Sequence, residues 1–110
     1  MKDESQLGSF EEQVLLAILR TGEDAFGMSV RREIEDVTGR ELAIGAVYAT
    51  LDRLEAKRLV RSFRATGAED GRSRRMFALT RAGAQALAES RAMRERMWRG
   101  INISRIIESF

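Results

Sequence analysis

Apolar positions along the chain recur at two spacings, and the switches between them mark out its predicted elements. Leu7, Phe10, Val14, Leu15, Ile18 and Leu19 follow one another at intervals of three and four, which predicts an amphipathic helix. It starts between Leu7 and Phe10 and runs to about Arg20, with Ser9 and Glu12 as a candidate capping box. Residues 1–6 are polar and expected to fray. The stretch TGEDAFG over 21–27 holds two glycines and breaks the helix. A second helix is predicted over 28–37, burying Met28, Val30, Ile34 and Val37, and Thr38-Gly39 supplies a left-handed end to it.

Residues 41–60, ELAIGAVYATLDRLEAKRLV, are the stretch around which the rest is arranged. After a short extended link at Glu41-Leu42, a helical wheel places Ile44, Val47, Tyr48, Leu51, Leu54 and the stem of Glu55 on one side. The other side carries Gly45, Ala46, Ala49, Thr50, Arg53 and Lys57. A helix that only faces water usually carries long charged side chains there. Here the face is small at its N-terminal end and basic at its C-terminal end, a shape that suits a groove lined with phosphates. Two helices joined by a tight glycine-containing turn, the second with such a face, read as a helix-turn-helix. The competing reading is a pair of packing helices.

Beyond this helix the period changes to two. Residues 58–65 alternate with Leu59 and Phe63 on one face and Val60, Ser62 and Arg64 on the other. Residues 74–79 alternate likewise, burying Phe77 and Leu79. Between them lies TGAEDGRS with an Asp-Gly turn signal. The pair predicts a β-hairpin with the length of a wing, its arms bearing Arg61, Arg64, Arg72, Arg74 and Arg75 and its tip Glu69 and Asp70. A solvated edge hairpin whose arginines discourage pairing is the alternative. Thr80 then N-caps a long helix over 81–110, where Gly100 and Asn102 mark places for a bend or an end. Its apolar stripe includes Met93, Met97, Trp98, Ile101, Ile106, Ile107 and Phe110 and extends past a domain this small. The simplest cover is the same helix from a second copy. The expected fold is mainly α with a small β-hairpin: a winged helix-turn-helix over 1–79 and a C-terminal dimerisation helix over 80–110.

Composition narrows the chemistry. At 110 residues the chain is one domain with a modest core. It has no cysteine and no histidine, so thiolate chemistry and the commonest general base and metal ligand are missing together. The close carboxylate pairs Glu11-Glu12, Glu33-Glu35 and Glu69-Asp70 come with no phosphate loop or metal-ligand spacing, and no enzyme activity, cofactor or metal is expected. No apolar run approaches the roughly 18 residues of a membrane span, and a cytoplasmic protein is expected. Net charge is only +2, but its distribution is uneven. Residues 1–38 hold 4 basic and 9 acidic side chains, 39–80 hold 9 and 5, and 81–110 hold 6 and 3. The basic excess over the recognition helix, wing and tail is the footprint of a polyanion-binding face, or else solvated charge.

Several motifs together resemble the PadR family of bacterial transcriptional regulators. They are LGSFEEQVLLAIL near the N-terminus, Ile44-Gly45-Ala46-Val47-Tyr48 leading to Leu51 and Arg53-Leu54-Glu55, the wing arm Arg74-Arg75-Met76-Phe77, and Ala78-Leu79-Thr80-Arg81-Ala82-Gly83. The single short C-terminal helix resembles the compact branch of that family. The resemblance implies a homodimeric repressor on a roughly palindromic operator, released in many members by a small, often aromatic effector. Two positions depart from it: Ala49, where proline is common, and Met76-Phe77, where aromatic pairs are frequent.

On this reading Gly45, Ala46, Ala49 and Thr50 approach base edges of double-stranded DNA, and shape readout carries much of the specificity. Tyr48 packs its ring and offers its hydroxyl to a phosphate, unless it is simply a core tyrosine. Arg53, Lys57 and the wing arginines Arg64, Arg72, Arg74 and Arg75 supply affinity by counterion release. Trp98, with Met93, Met97 and Ile101, lies where some members hold flat aromatic ligands at the dimer interface; a plain interface tryptophan is the alternative. A winged helix used only for protein interaction, favoured by the acidic N-terminal third and wing tip, is the competing functional class.

Overall fold

A computed structural model describes residues 7–66 and 73–110. The expected fraying of residues 1–6 and the wing tip, with Glu69, Asp70 and Arg72, lie outside the described residues. Three helices, α1 (Ser9–Thr21), α2 (Gly27–Thr38) and α3 (Ile44–Ala56), are followed by strands β1 (Val60–Thr66) and β2 (Ser73–Leu79), then by α4 (Arg81–Trp98) and α5 (Ile103–Glu108). Helices dominate, and the antiparallel hairpin pairs Val60 with Leu79 through Thr66 with Ser73. The mainly α fold with one small hairpin stands as expected.

Local chemistry accounts for the boundaries. The α1 N-terminus uses Glu11 rather than Glu12, its carboxylate accepting from Gly8 N–H at 3.0 Å. A single 3-10 turn, Gly22–Asp24, follows α1. Gly39 then closes α2 at φ 72°, a left-handed conformation that suits glycine. The turn into α3 is fixed where Leu42 N–H donates to the Glu35 carboxylate at 2.9 Å. At the other end of α3, Arg58 takes φ 63° and Leu59 N–H donates back to the Leu54 carbonyl at 2.9 Å, which aims the chain into β1.

The core lies between α1, α2, α3 and the inner face of the hairpin, with Leu15, Leu51, Leu54, Val47 and Phe77 fully enclosed. Burial departs from the sequence pattern at several points. Met28 and Val37, expected inside, are exposed on α2, because α1 covers only the face carrying Val30 and Ile34. Phe63, expected to be inward with Leu59, is exposed on the hairpin's outer face beneath the Arg61 guanidinium. Met76 and Phe77 are neighbours on β2, yet both are buried. Phe77 enters the core, while Met76 forms a bridge with Phe26, and Phe77 N–H donates to the Ala25 carbonyl at 2.9 Å. The connection between α1 and α2 thus covers the second face of β2.

Thr80 caps α4 as expected, accepting from Gly83 N–H at 3.1 Å. It also donates to the Arg58 carbonyl at 2.7 Å, while its own N–H reaches the Leu59 carbonyl. The helix does not continue to residue 110. It stops at Trp98, Gly100 turns the chain at φ 82°, and Asn102 caps α5 by accepting from Arg105 N–H. All of residues 91–110 are exposed.

Candidate nucleic-acid interface

The face of α3 opposite the core presents Gly45, Ala46 and Ala49 to solvent, with Asp52, Arg53 and Ala56 following toward its C-terminus. The small patch predicted from the wheel is therefore on the surface, at the N-terminal half of the helix. Thr50 is not part of it. It is only 1% exposed and accepts from the Arg53 guanidinium at 2.9 Å, which corrects its placement at base edges. At about 100° per residue Thr50 sits roughly 60° from Val47, on the core's shoulder rather than the outer face. Lys57 points the same way. Its ammonium lies 2.9 Å from the largely buried Glu11 carboxylate and ties α3 to α1. Its charge is spent within the fold rather than offered to phosphate.

Tyr48 occupies the opposite shoulder and is 37% exposed. Its ring lies across the start of α2, where Gly27 leaves room; a methyl group there would overlap the ring, 2.7 Å from Cε1. The ring is thereby held at the junction of the two helices.

The wing arginines divide by strand alternation. Arg64 and Arg75 face one another across the hairpin, on the side that carries Ser62 and Phe77, while Arg74 lies on the other side over the Phe26 ring at 4.7 Å. Arg75 is committed to holding the wing. It donates to Asp52 at 3.0 Å and to Glu55 at 2.7 Å, and Glu55 also accepts from the Ser62 hydroxyl and backbone N–H. Arg75, expected at phosphate, is thus joined to Asp52 and Glu55 and through Glu55 to Ser62, a network of which the Arg53-Leu54-Glu55 triplet is the one trace in the sequence. Arg53 and Arg64 are exposed beside the small patch and on the wing arm respectively.

Two carboxylates, Glu55 in this network and Glu11 beneath Lys57, are held low. The Ser62 hydroxyl, with Arg75, holds Glu55 below its ordinary value of 4.5, outweighing desolvation. For Glu11 burial pushes upward, but the Gly8 N–H and the Lys57 ammonium outweigh it and leave the group lowered. A depressed folded-state pKa contributes stability that is complete above the unfolded value and is lost as pH falls through the folded one. Urea midpoints should therefore hold from pH 7 to about 4.5 and fall below it. Glu11→Gln is expected to be less stable than the parent at pH 7, with a shallower decline toward pH 3; parallel slopes would show that Glu11 is not linked to folding.

Met93, Met97, Trp98 and Ile101 lie along the second half of α4 and just past it, all exposed, with Trp98 at 54%. Among the described residues there is no acidic cluster able to hold a metal ion, and no helix is long and apolar enough to cross a membrane.

This arrangement is shared with known proteins. RosR of H. salinarum is 24% identical, with 97% of this chain and 91% of that one covered at a TM-score of 0.68. A PadR family transcription regulator from Clostridium difficile is 22% identical over 93% and 98%, with a TM-score of 0.61. BpsR of Bordetella bronchiseptica is 18% identical over 97% and 76%, at 0.60. No curated protein matches the sequence. The model of the transcriptional regulator PadR-like family matches residues 15–89, from α1 through the first half of α4. Matched over that span, with the helix-turn-helix, wing and small-faced α3 in place, the chain belongs to the PadR-like family of transcriptional regulators and is a DNA-binding regulator, not an enzyme.

Proposed function

We propose that the protein represses transcription as a homodimer on a roughly palindromic operator, and that a small aromatic effector releases it. The observation that carries the DNA-binding geometry is the exposed patch of Gly45, Ala46 and Ala49 on α3. With no side chain larger than a methyl group, this half of the helix approaches base edges closely enough for methyl contacts and shape readout. Tyr48 offers its hydroxyl to the backbone at the edge of the groove. Arg53, Arg64 and Arg74 supply the phosphate contacts, while Arg75 and Lys57 position the wing and α3. The domain boundary near residue 80 separates this reader from the helix that joins two copies.

Support for dimerisation comes from the exposed apolar stripe of α4, which a two-fold partner would cover. The effector reading rests on Trp98 with Met93, Met97 and Ile101, whose indole, thioethers and aliphatic surface suit a flat aromatic ring. In BpsR, DNA binding is regulated by 6-hydroxynicotinic acid, a ligand of that class.

The test is a binding isotherm on the DNA upstream of the protein's own coding region, with random DNA as competitor. Three phosphate-contacting arginines per protomer predict a slope of log K on log salt of about −5, and so a loss on the order of 1,000-fold between 50 and 200 mM salt. Arg64→Ala should make that slope shallower by about 2 per dimer. A flat salt response would remove the phosphate assignment. Quenching of Trp98 fluorescence by planar aromatics tests the effector site, and silence across a broad set removes it.

A further inference from the structure

An apolar groove of about 390 Å³ runs between α1 and α2, lined by Leu16, Leu19, Ile34 and Val37. Leu19 and Val37 are 56% and 62% exposed, unusual for residues of their kind so close together. Four polar side chains line it, and three are engaged within the chain: Arg20 and Glu33 pair at 2.7 Å, and the Thr38 hydroxyl donates to the Ile34 carbonyl, while Gln13 is the fourth. Small-molecule sites orient their ligands with several convergent polar groups, and here only Gln13 is not engaged elsewhere. The groove suits an apolar helix face.

The chain carries such a face. In α5 and the residue that ends the chain, Ile103, Ile106, Ile107 and Phe110 fall at i, i+3, i+4 and i+7, the anchor spacing of a helix that docks in a groove. All four are exposed, and a six-residue helix is not stable in water without a surface to pack on. We infer that the α1/α2 groove is the seat of α5 from a second copy.

Two further observations favour that occupant. The acidic and basic parts of the sequence match: residues 1–38 hold 9 acidic against 4 basic side chains, and residues 81–110 hold 6 basic against 3 acidic. Within one chain the basic tail already docks on the acidic helix, where Arg94 and Ser90 both donate to Glu12. Glu12, Leu16 and Leu19 share one stripe of α1, so the groove continues a contact that α4 has begun. Each copy has one groove and one α5, so a mutual exchange closes at two. The inference rests on the homodimer reading and adds where the tail of each protomer goes.

The absence of cysteine makes the test direct. Val37→Cys and Ile107→Cys, both at exposed positions, are prepared in separate full-length chains of different tag length, mixed, and treated with a short bis-maleimide. Sedimentation is measured alongside. A dimer in which V37C and I107C chains become linked to one another, with neither variant linking to itself, is the expected result. A dimer without that link overturns the groove assignment and leaves the homodimer standing. A monomer overturns both. If the doubly substituted chain links within itself, α5 seats in its own groove and the exchange is wrong.

Discussion

Gly83→Ala is expected to lower the unfolding free energy by about 3 kcal/mol, a fall in melting temperature on the order of 15 °C. Gly83 lies in the first turn of α4, and a Cβ there would sit inside the carbonyl oxygen of Leu59 and 3.1 Å from its carbonyl carbon. That carbonyl belongs to the backbone and also accepts from Thr80 N–H, so it has no rotamer to change and no room to retreat. Gly45→Ala is the contrast. Gly45 is also helical, but nothing lies within 4 Å of its missing Cβ, and alanine is the better helix former by up to about 1 kcal/mol. Thermal melts followed by circular dichroism should move in opposite directions for the two variants. A Gly83→Ala protein as stable as the parent would mean that α4 does not sit against the Leu59 carbonyl as described.

Ala49→Glu is expected to leave the fold intact and to reduce DNA affinity on the order of 100-fold, about 2.7 kcal/mol. Ala49 is exposed at the middle of the small patch, so a longer side chain meets only solvent in the free protein. The melting transition should stay within about 0.5 kcal/mol of the parent. On DNA the same side chain would bring a carboxylate between α3 and the groove, clashing with the bases and repelled by phosphate. Fluorescence anisotropy with a labelled duplex gives the affinity. Unchanged binding by a folded Ala49→Glu variant would mean that another surface reads DNA.

Much of the fold was legible because its elements follow the simplest rules of burial. The period-three-and-four stripes placed α1, α2 and α3 within a residue or two, and Gly39, Thr80 and Gly100 supply the ends that their residue types suggest. The exposed patch at Gly45, Ala46 and Ala49 could be read because small residues lie near the centre of the outer face. The shoulders could not be read. Thr50 lies about 60° from Val47 on one side and Tyr48 about 100° on the other, so a split of the wheel into two faces misplaces the threonine, which the fold encloses while the tyrosine rests on Gly27. Charged side chains were harder still. Lys57 and Arg75 look like phosphate ligands until Glu11, Asp52 and Glu55 are brought beside them from distant parts of the chain. The Met76–Phe26 bridge was hidden for a related reason: a single bridging residue has no periodicity to detect.

The close seating of Gly83 on Leu59, with Thr80 joined to Arg58 and Leu59, has a mechanical meaning. It clamps the base of α4 to the segment that leaves α3 and enters the wing, through two backbone contacts at Leu59 and the Thr80 hydroxyl on the Arg58 carbonyl. Helix α4 is then a crank, about 27 Å long at 1.5 Å per residue, fastened to the helix-turn-helix and wing at its short end. A tilt of about 10° at this fastening corresponds to roughly 5 Å of travel at Trp98. Displacement at the far end returns to α3 and the hairpin as one rotation, with little slack in between to absorb it.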